Sequence, residues 1–226
     1  MTGLAVFDLD GVLTRRDLMT AVVTAALRRA PHRALVPLPA VANSMRLRND
    51  PERRRAAAAT VIGHAFAGWS PAELRELSVG IATRWVRERR FIREAAVEAF
   101  REHTRRGDEV VVATASNDDA ARALVGALGL EPAAVVASAI TVGAGRALIE
   151  PYNIGEQKLR SLTDAGVDVG TAVFYTDSAS DLPTARGARR TVLVAPSATT
   201  VRRFDEAGVR YTLLDEVSTS TPGRVP

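Results

Sequence analysis

The sequence contains no cysteine, and this absence removes several kinds of chemistry at once. Disulfide bonds, thiolate nucleophiles and zinc sites with sulfur ligands are all excluded. The lack of cysteine agrees with a cytoplasmic location, which we expect for this protein. The three histidines, His32, His64 and His103, show no ligand spacing, so we interpret them as packing or surface residues.

Long apolar runs are also missing. No stretch approaches the roughly 20 consecutive apolar residues that a transmembrane helix needs. The first apolar segment, LAVFDLDGV, is short, contains two aspartates and has no basic region before it, which is not the pattern of a secretory signal. We therefore expect a soluble, intracellular protein with no membrane partner.

Aromatic residues make up only 5% of the chain, although the formal net charge is +4. Basic clusters such as RRAPHR, PERRR and RERRFIR have no interleaved aromatic residues of the kind that stack on bases. Solvated helix faces are the better interpretation of these clusters, and a nucleic-acid partner is not expected. A basic binding protein remains the non-enzymatic alternative.

Lysine is nearly absent as well. Of the 30 basic residues, the only lysine is Lys158, in the segment GEQKL. A lone lysine is usually a solvated surface charge. Alternatively, it performs a task that the planar guanidinium of arginine cannot, because an ammonium group is a compact point charge on a flexible stem.

Short apolar segments alternate with helical segments over most of the 226 residues, which predicts an α/β fold built on a parallel sheet. The segment ITVGAGRALIE is typical of a short hairpin over GAG. The predicted strands of the sheet cover residues 4–8, 109–114, 133–139, 171–177, 190–195 and 209–214.

Residues 17–90 contain no convincing strand and instead show the start signals of helices. The caps Asp17, Asp50 and Ser70 precede helical segments at 17–30, 50–68 and 70–90. We predict a Rossmann-like core from residues 1–15 and 93–217, an inserted all-helical cap from residues 16–92, and a disordered tail, 218–226.

Ligands of such sheets bind at the carboxyl ends of the strands, where this sequence places Asp8, Thr114 and Asp177. Asp8 and Asp10 repel each other unless a cation or a proton intervenes. Asp177 and Asp181 lie one helical turn apart and suit a hard divalent cation. Taken singly, these motifs also fit a capped loop, a helix cap and a strand-end hydroxyl.

Taken together and in this order, FDLDGVLT, VVVATAS, GEQKL and FYTDSASDLP resemble the motifs of the haloacid dehalogenase superfamily of phosphotransferases. The resemblance extends from residue 4 to about 215, and the inserted helices resemble the C1 cap of its phosphoserine-phosphatase-like branch, subfamily IB. A receiver domain also uses Asp, Thr, Lys and Mg²⁺, but it has neither this D-x-D motif nor such an insertion.

The resemblance implies roles for individual residues. Asp8 would be the nucleophile that forms an aspartyl-phosphate, and Asp10 the general acid and then base. Lys158 would offset charge beside Asp8. The remaining roles are a Mg²⁺ site and a phosphoryl site. The residues of the Mg²⁺ site would be Asp8, Asp10 through its carbonyl, Asp177 and Asp181; those of the phosphoryl site would be Thr114, Ala115 and Ser116.

The sequence departs from the phosphoserine phosphatases after the first motif, where it reads TRRDL. Arg15, Arg16 and Asp17 stand where those enzymes have the acidic residue that is thought to hold the substrate ammonium, which argues against phosphoserine. Arg16 either binds an anionic group of the substrate or forms a salt bridge at the cap hinge. Ser180 replaces an asparagine common in this branch.

We therefore predict a Mg²⁺-dependent phosphomonoesterase for a small phosphorylated metabolite. A phosphotransferase or phosphomutase would use the same residues, with a sugar hydroxyl replacing water. The substrate's identity and the oligomeric state do not follow from the sequence.

Overall fold

The computed structural model describes residues 2–34 and 51–214. Two predictions lie outside the described residues: Asp50 as a helix cap, and disorder of residues 218–226. Within the described ranges, no helix is long and apolar enough to cross a membrane.

Six parallel strands form one sheet in the order β3-β2-β1-β6-β7-β8, which confirms the predicted α/β class. Four of them, β1, β2, β6 and β7, are mostly buried, as expected when helices cover both faces of the centre of a sheet. A separate antiparallel pair, β4 and β5, confirms the predicted hairpin. The strands are β1 (Leu4–Phe7), β2 (Glu109–Asn117), β3 (Ala134–Ser138), β4 (Ile140–Thr141), β5 (Leu148–Ile149), β6 (Ala172–Thr176), β7 (Arg190–Val194) and β8 (Tyr211–Leu214).

The helices begin largely where their capping residues predict. The Asp17 side chain accepts a hydrogen bond from the Thr20 amide, and Ser70 forms a capping box with Glu73. The described helices are α1 (Leu18–Arg29), α2 (Pro51–Ala65), α3 (Pro71–Glu88), α4 (Glu94–Arg105), α5 (Asp118–Ala127), α6 (Glu156–Asp164), α7 (Leu182–Gly187) and α8 (Ala198–Glu206).

Helices α1, α2 and α3, called the inserted helices below, follow β1 in the chain and precede α4. The two chain passages that connect them to the sheet run side by side: the Arg15 amide donates to the Phe91 carbonyl at 2.7 Å, and the Arg93 amide to the Leu13 carbonyl at 3.0 Å. The inserted helices share one apolar cluster with residues of the sheet. The division into a core and a cap at residues 16 and 92 stays a prediction.

The hairpin of β4 and β5 also contacts the inserted helices. The Ala147 amide donates to the Gly63 carbonyl of α2 at 3.0 Å. A Cβ atom on Gly63 would lie 2.9 Å from the Ala147 oxygen, so this close approach requires glycine. The hairpin therefore fixes the carboxyl-terminal part of α2 to the α/β core.

Strand β2 differs most from its prediction, because it continues past Thr114 to Asn117. Its pairing with β3 shifts register between Ala113 and Asn117, which is typical of a bulge. The small and polar residues of this stretch led to a predicted strand end. They remain extended because Asn117 pairs with Ser138 beyond the irregularity.

Beneath the sheet, His103 is buried and hydrogen-bonded, as one of the two interpretations of the histidines anticipated. Its Nδ1 lies 2.7 Å from the Asp108 carboxylate, and its Nε2 lies 3.0 Å from the Tyr175 hydroxyl. Asp108 also accepts from the Gly3 amide at 2.9 Å. The hydrogen bond to His103 lowers the pKa of Asp108, although partial burial opposes this shift.

We predict that Asp108→Ala lowers the free energy of unfolding by about 1–3 kcal/mol at neutral pH, because it removes the hydrogen-bond partner of the buried His103 ring and of the half-buried Gly3 amide. A lowered pKa means that the stabilisation is present above the ordinary aspartate pKa and is lost as the pH falls through the lowered value. Urea denaturation between neutral and acidic pH should therefore show the difference shrinking on acidification. Asp205→Ala, at an exposed carboxylate bonded to Tyr211, should have little effect; an equal loss in both variants would contradict the prediction.

Candidate active site

The polar residues of the motifs meet at the edge of the sheet where β1, β2 and β6 end, called the carboxyl edge below. Strand β1 lies between β2 and β6, so the residues that follow each strand become neighbours. Asp8 follows β1, Thr114 lies in the last part of β2, and Asp177 follows β6. The residues predicted to lie at one edge are brought together there.

Lys158 lies at the centre of this edge and is only 2% exposed, so its interpretation as a surface charge is wrong. Its Nζ lies 2.9 Å from the Asp8 Oδ2 and donates at 2.9 Å to the Asp181 Oδ2. The same Asp181 oxygen also accepts from the Thr176 hydroxyl at 2.7 Å. A compact ammonium therefore bridges two buried carboxylates.

Burial and charge oppose each other in this cluster. Burial alone would lower the pKa of Lys158, but the carboxylates of Asp181 and Asp8 raise it above its ordinary value, so the ammonium stays charged. Burial raises the pKa of Asp8 well above its usual range, Lys158 counteracts this, and the charge of Asp181 adds to it. The cluster holds more negative charge than one lysine offsets.

Asp10 is held by three donors. The Asp10 Oδ1 accepts from the Leu18 amide at 2.7 Å, and the Oδ2 accepts from the Ser116 hydroxyl at 2.7 Å and the Thr114 hydroxyl at 3.1 Å. Burial, together with the nearby charge of Asp17, raises the pKa of Asp10 to about 7 despite these bonds. A carboxyl group with this pKa exchanges a proton readily near neutral pH.

Asp177 lies against the turn that follows β1. A Cβ atom on Gly11 would lie 2.0 Å from the Asp177 Oδ2, and Gly11 has a φ of +79°, so only glycine fits this turn. Burial and the charge of Asp181 raise the pKa of Asp177 to about 6. The Asp177 side chain therefore lies against Gly11, next to the segment that carries Asp8 and Asp10.

The carboxylates of the carboxyl edge suit a hard divalent cation that is bound by only a few protein ligands. Among residues 2–34 and 51–214, no three acidic or histidine side chains enclose a metal position by themselves. Mg²⁺ usually keeps several waters and uses one or two carboxylates. Asp8 and Asp177 suit that role because burial and the charge of Asp181 raise the pKa of both, and a cation would favour their ionised forms. The Asp181 Oδ2 accepts from Lys158 and Thr176, while its buried Oδ1 accepts no hydrogen bond and lies 2.9 Å from the Lys158 Nζ, so its part in the Mg²⁺ site stays a prediction.

Two further predicted residues have other surroundings. The Arg16 guanidinium lies 5.6 Å from the centre of the Phe91 ring, beside the two chain passages, and forms no ion pair within the part of the chain that the structure describes. The structure does not bring it to the carboxylates of the site. The Ala115 carbonyl accepts from the Ser138 hydroxyl at 2.8 Å, which fixes the part of β2 next to Thr114.

Sequence reasoning missed several contributors to the site. Thr176 directly precedes Asp177, so its position at a strand end was a usable signal. Tyr152 also lies near the site, but no sequence motif marked it. Burial and the nearby charge of Asp17 raise the pKa of its hydroxyl, while Arg55 opposes this shift. Its place near the site depends on the loop after β5, which no periodicity in the sequence describes.

The sequence model of haloacid dehalogenase-like hydrolases matches residues 5–186, which is well over half of the chain. The protein belongs to this family. No curated protein matches the sequence. The resemblance of the four motifs to this superfamily is thereby confirmed, while the assignment to one subfamily and cap type remains consistent with the structure.

Solved structures of similar fold cover nearly the whole chain. A Bordetella pertussis Tohama I protein of unknown function has 25% identity and a TM-score of 0.70, covering 94% of this chain and 99% of its own. A substrate-bound phosphoserine phosphatase has 16% identity and a TM-score of 0.60, covering 90% of both chains. Cytosolic 5'-nucleotidase IIIB bound to cytidine has 13% identity and a TM-score of 0.63, covering 96% of this chain and 82% of its own.

The last two similarities concern the fold alone. Because a phosphoserine phosphatase and a nucleotidase share it, the fold does not select a substrate.

We predict that Lys158→Met lowers the free energy of unfolding by about 3–5 kcal/mol near neutral pH, because Asp8 and Asp181 then lose their buried counter-charge. Urea denaturation in the presence of a chelator measures this effect without a metal that compensates for it. Arg160→Met is the matched control, since Arg160 is exposed on the same helix. A loss no larger than that of the control would show that the buried ammonium does not hold the edge together.

Proposed function

We propose that the protein is a Mg²⁺-dependent phosphomonoesterase that hydrolyses a small phosphorylated metabolite through an aspartyl-phosphate on Asp8. The observation that carries this proposal is the pairing of two differently placed carboxylates on one turn. Asp8 lies 2.9 Å from a buried ammonium, while Asp10 has a pKa of about 7. Two neighbouring carboxylates with different partners, one paired with an ammonium and one held by hydroxyl and amide donors, suit a nucleophile and an acid–base residue.

Asp8 is the residue placed to attack phosphorus. Its Oδ1 is held by the Leu9 amide at 2.7 Å, and Lys158 lies beside its Oδ2, so the side chain has a fixed direction. The ammonium of Lys158 offsets the negative charge that builds up when a phosphate ester approaches a carboxylate. Bound Mg²⁺, held by Asp8, Asp177 and the Asp10 carbonyl, would supply further positive charge to the phosphoryl oxygens.

Asp10 is the residue placed to move protons. In the first step its protonated carboxyl group donates to the leaving alcohol as the bond from phosphorus to the ester oxygen breaks. In the second step the carboxylate takes a proton from the water that attacks the aspartyl-phosphate, which restores Asp8 and releases phosphate. The three hydrogen bonds to Asp10 hold its carboxyl group in one orientation for both transfers.

Thr114 and Ala115 are the residues we propose for holding the phosphoryl group. The Thr114 hydroxyl makes the longest of the three bonds to Asp10, at 3.1 Å, so a phosphoryl oxygen competes for it at least cost. Asp8 and Lys158 are both nearly inaccessible to solvent, which favours a small substrate. No contact in the described residues favours the phosphotransferase or phosphomutase alternative.

Asp8→Asn should reduce phosphate release by ~10⁴-fold or more, because an amide does not form the acyl phosphate. The measurement is a phosphate-release screen over sugar phosphates, amino-alcohol phosphates, nucleotides and phospho-acids with Mg²⁺ present. Asp164→Asn, at an exposed carboxylate at the end of α6, is the matched control and should keep wild-type rates. Turnover in a pure, folded Asp8→Asn preparation would rule out the covalent mechanism.

Activity should disappear with a chelator and return with Mg²⁺. In Asp177→Asn the Mg²⁺ concentration for half-maximal activity should rise by ~10-fold or more, because one of the two proposed carboxylate ligands is lost. Calorimetric titration of Mg²⁺ into both proteins provides a second measurement that needs no substrate. Asp168→Asn, at an exposed carboxylate that accepts from the Gly170 amide, is the control. Full activity in excess chelator would contradict the metal requirement.

A further inference from the structure

Ser116 is fully buried, and its hydroxyl has contacts that its predicted role in phosphate binding does not explain. It donates to the Asp10 Oδ2 at 2.7 Å and accepts from the Met19 amide at 2.9 Å. A hydroxyl has one proton to donate, and here that proton is directed at Asp10. The Ser116 amide is also engaged, because it donates to the Thr114 hydroxyl at 3.0 Å.

The other partner of Asp10 comes from the same inserted helix. Leu18 and Met19 are the first residues of α1, where backbone amides have no partner within the helix. The Leu18 amide donates to the Asp10 Oδ1 at 2.7 Å, while the Met19 amide reaches Asp10 through Ser116. Two successive amides of α1 therefore hold opposite oxygens of one carboxyl group, one directly and one through a hydroxyl.

We propose that Ser116 is a positioning residue that joins the carboxyl group of Asp10 to the first turn of α1. This inference rests on the proposed function, in which Asp10 transfers the proton. The hydroxyl fixes the rotation of the carboxyl group, so that its proton points to the leaving oxygen only while α1 is seated against the sheet. The packing of α1 against the sheet thus also orients the carboxyl group of Asp10 for proton transfer.

Thr114 and Ser116 are two residues apart in β2, and the alternation of side chains along an extended strand places both on the same side. Strand β2 continues beyond Thr114, and the register shift between Ala113 and Asn117 falls on this stretch. Thr114 and Ser116 both direct their hydroxyls at the same oxygen of Asp10. The continuation of β2 past Thr114 thus brings a second hydroxyl to Asp10.

The leaving group distinguishes positioning from phosphate binding. Proton donation matters for an alkyl phosphate and little for p-nitrophenyl phosphate, whose leaving group needs almost no protonation. In Ser116→Ala, kcat for an alkyl phosphate should fall by ~10²-fold, whereas kcat for p-nitrophenyl phosphate should fall by less than ~10-fold. The inhibition constant of inorganic phosphate should change by less than about twofold, because phosphoryl contacts are retained.

Hydrogen exchange gives a measurement that needs no turnover. In Ser116→Ala, exchange of the amides in the first turn of α1 should accelerate roughly three- to tenfold, because the Met19 amide loses its acceptor. Ser78→Ala is the matched control: it removes another buried serine hydroxyl that bonds the inserted helices to the core, through Asn117 at 2.9 Å, without touching Asp10. It should leave the ratio of the two kcat values and the exchange at α1 unchanged.

Equal losses of kcat on both substrates, together with a raised inhibition constant for phosphate, would overturn the proposal in favour of phosphate binding by Ser116. Unchanged exchange at α1 in Ser116→Ala would also overturn it. A wild-type protein that hydrolyses no phosphate ester would refute the proposed function instead, and the exchange measurement would still decide whether Ser116 links Asp10 to α1.

Discussion

The ion pairs of Lys158 with Asp8 and Asp181 are the interaction on which the carboxyl edge depends. Each buried charge costs several kcal/mol in lost hydration, so carboxylates gather at one edge only if a cation is buried with them. Lys158 provides that cation, with both carboxylate oxygens at 2.9 Å. An arginine would require more space at a position that is only 2% exposed.

One lysine does not neutralise the whole edge. The pKa values of Asp8, Asp10 and Asp177 all lie above the ordinary range because burial penalises their charged forms. A proton on Asp10 and a divalent cation between Asp8 and Asp177 would relieve the repulsion that remains. The excess of negative charge destabilises the edge. In the proposed mechanism the same excess keeps a proton on Asp10 for the leaving group and attracts the metal ion.

The inserted helices contribute more than a cover over the site. They share an apolar cluster with the sheet, and α3 is joined to the core through the buried bond between Ser78 and Asn117. Two amides of α1 reach the carboxyl group of Asp10, directly or through Ser116. In the proposed mechanism, the first turn of α1 would therefore affect proton transfer even where its side chains touch no substrate.

Much of the fold followed from local patterns. Apolar segments of strand length, interrupted by glycine and by helix caps such as Asp17 and Ser70, specified the alternation of strands and helices because each signal acts within a few residues. The ends of elements were less certain. Strand β2 runs on to Asn117 because of pairing with β3, a contact between distant segments that polar residues in the sequence concealed.

The sequence by itself determined which residues gather at the carboxyl edge, since Asp8, Thr114 and Asp177 are tied to strand ends and parallel strands end on the same side. It also marked Lys158, through the scarcity of lysine. Only the tertiary structure decided the partners. Lys158 pairs with Asp181 as well as with Asp8, and Ser116 donates to Asp10. These contacts depend on how segments that are distant in the chain pack together, which is not encoded within a few residues of the site.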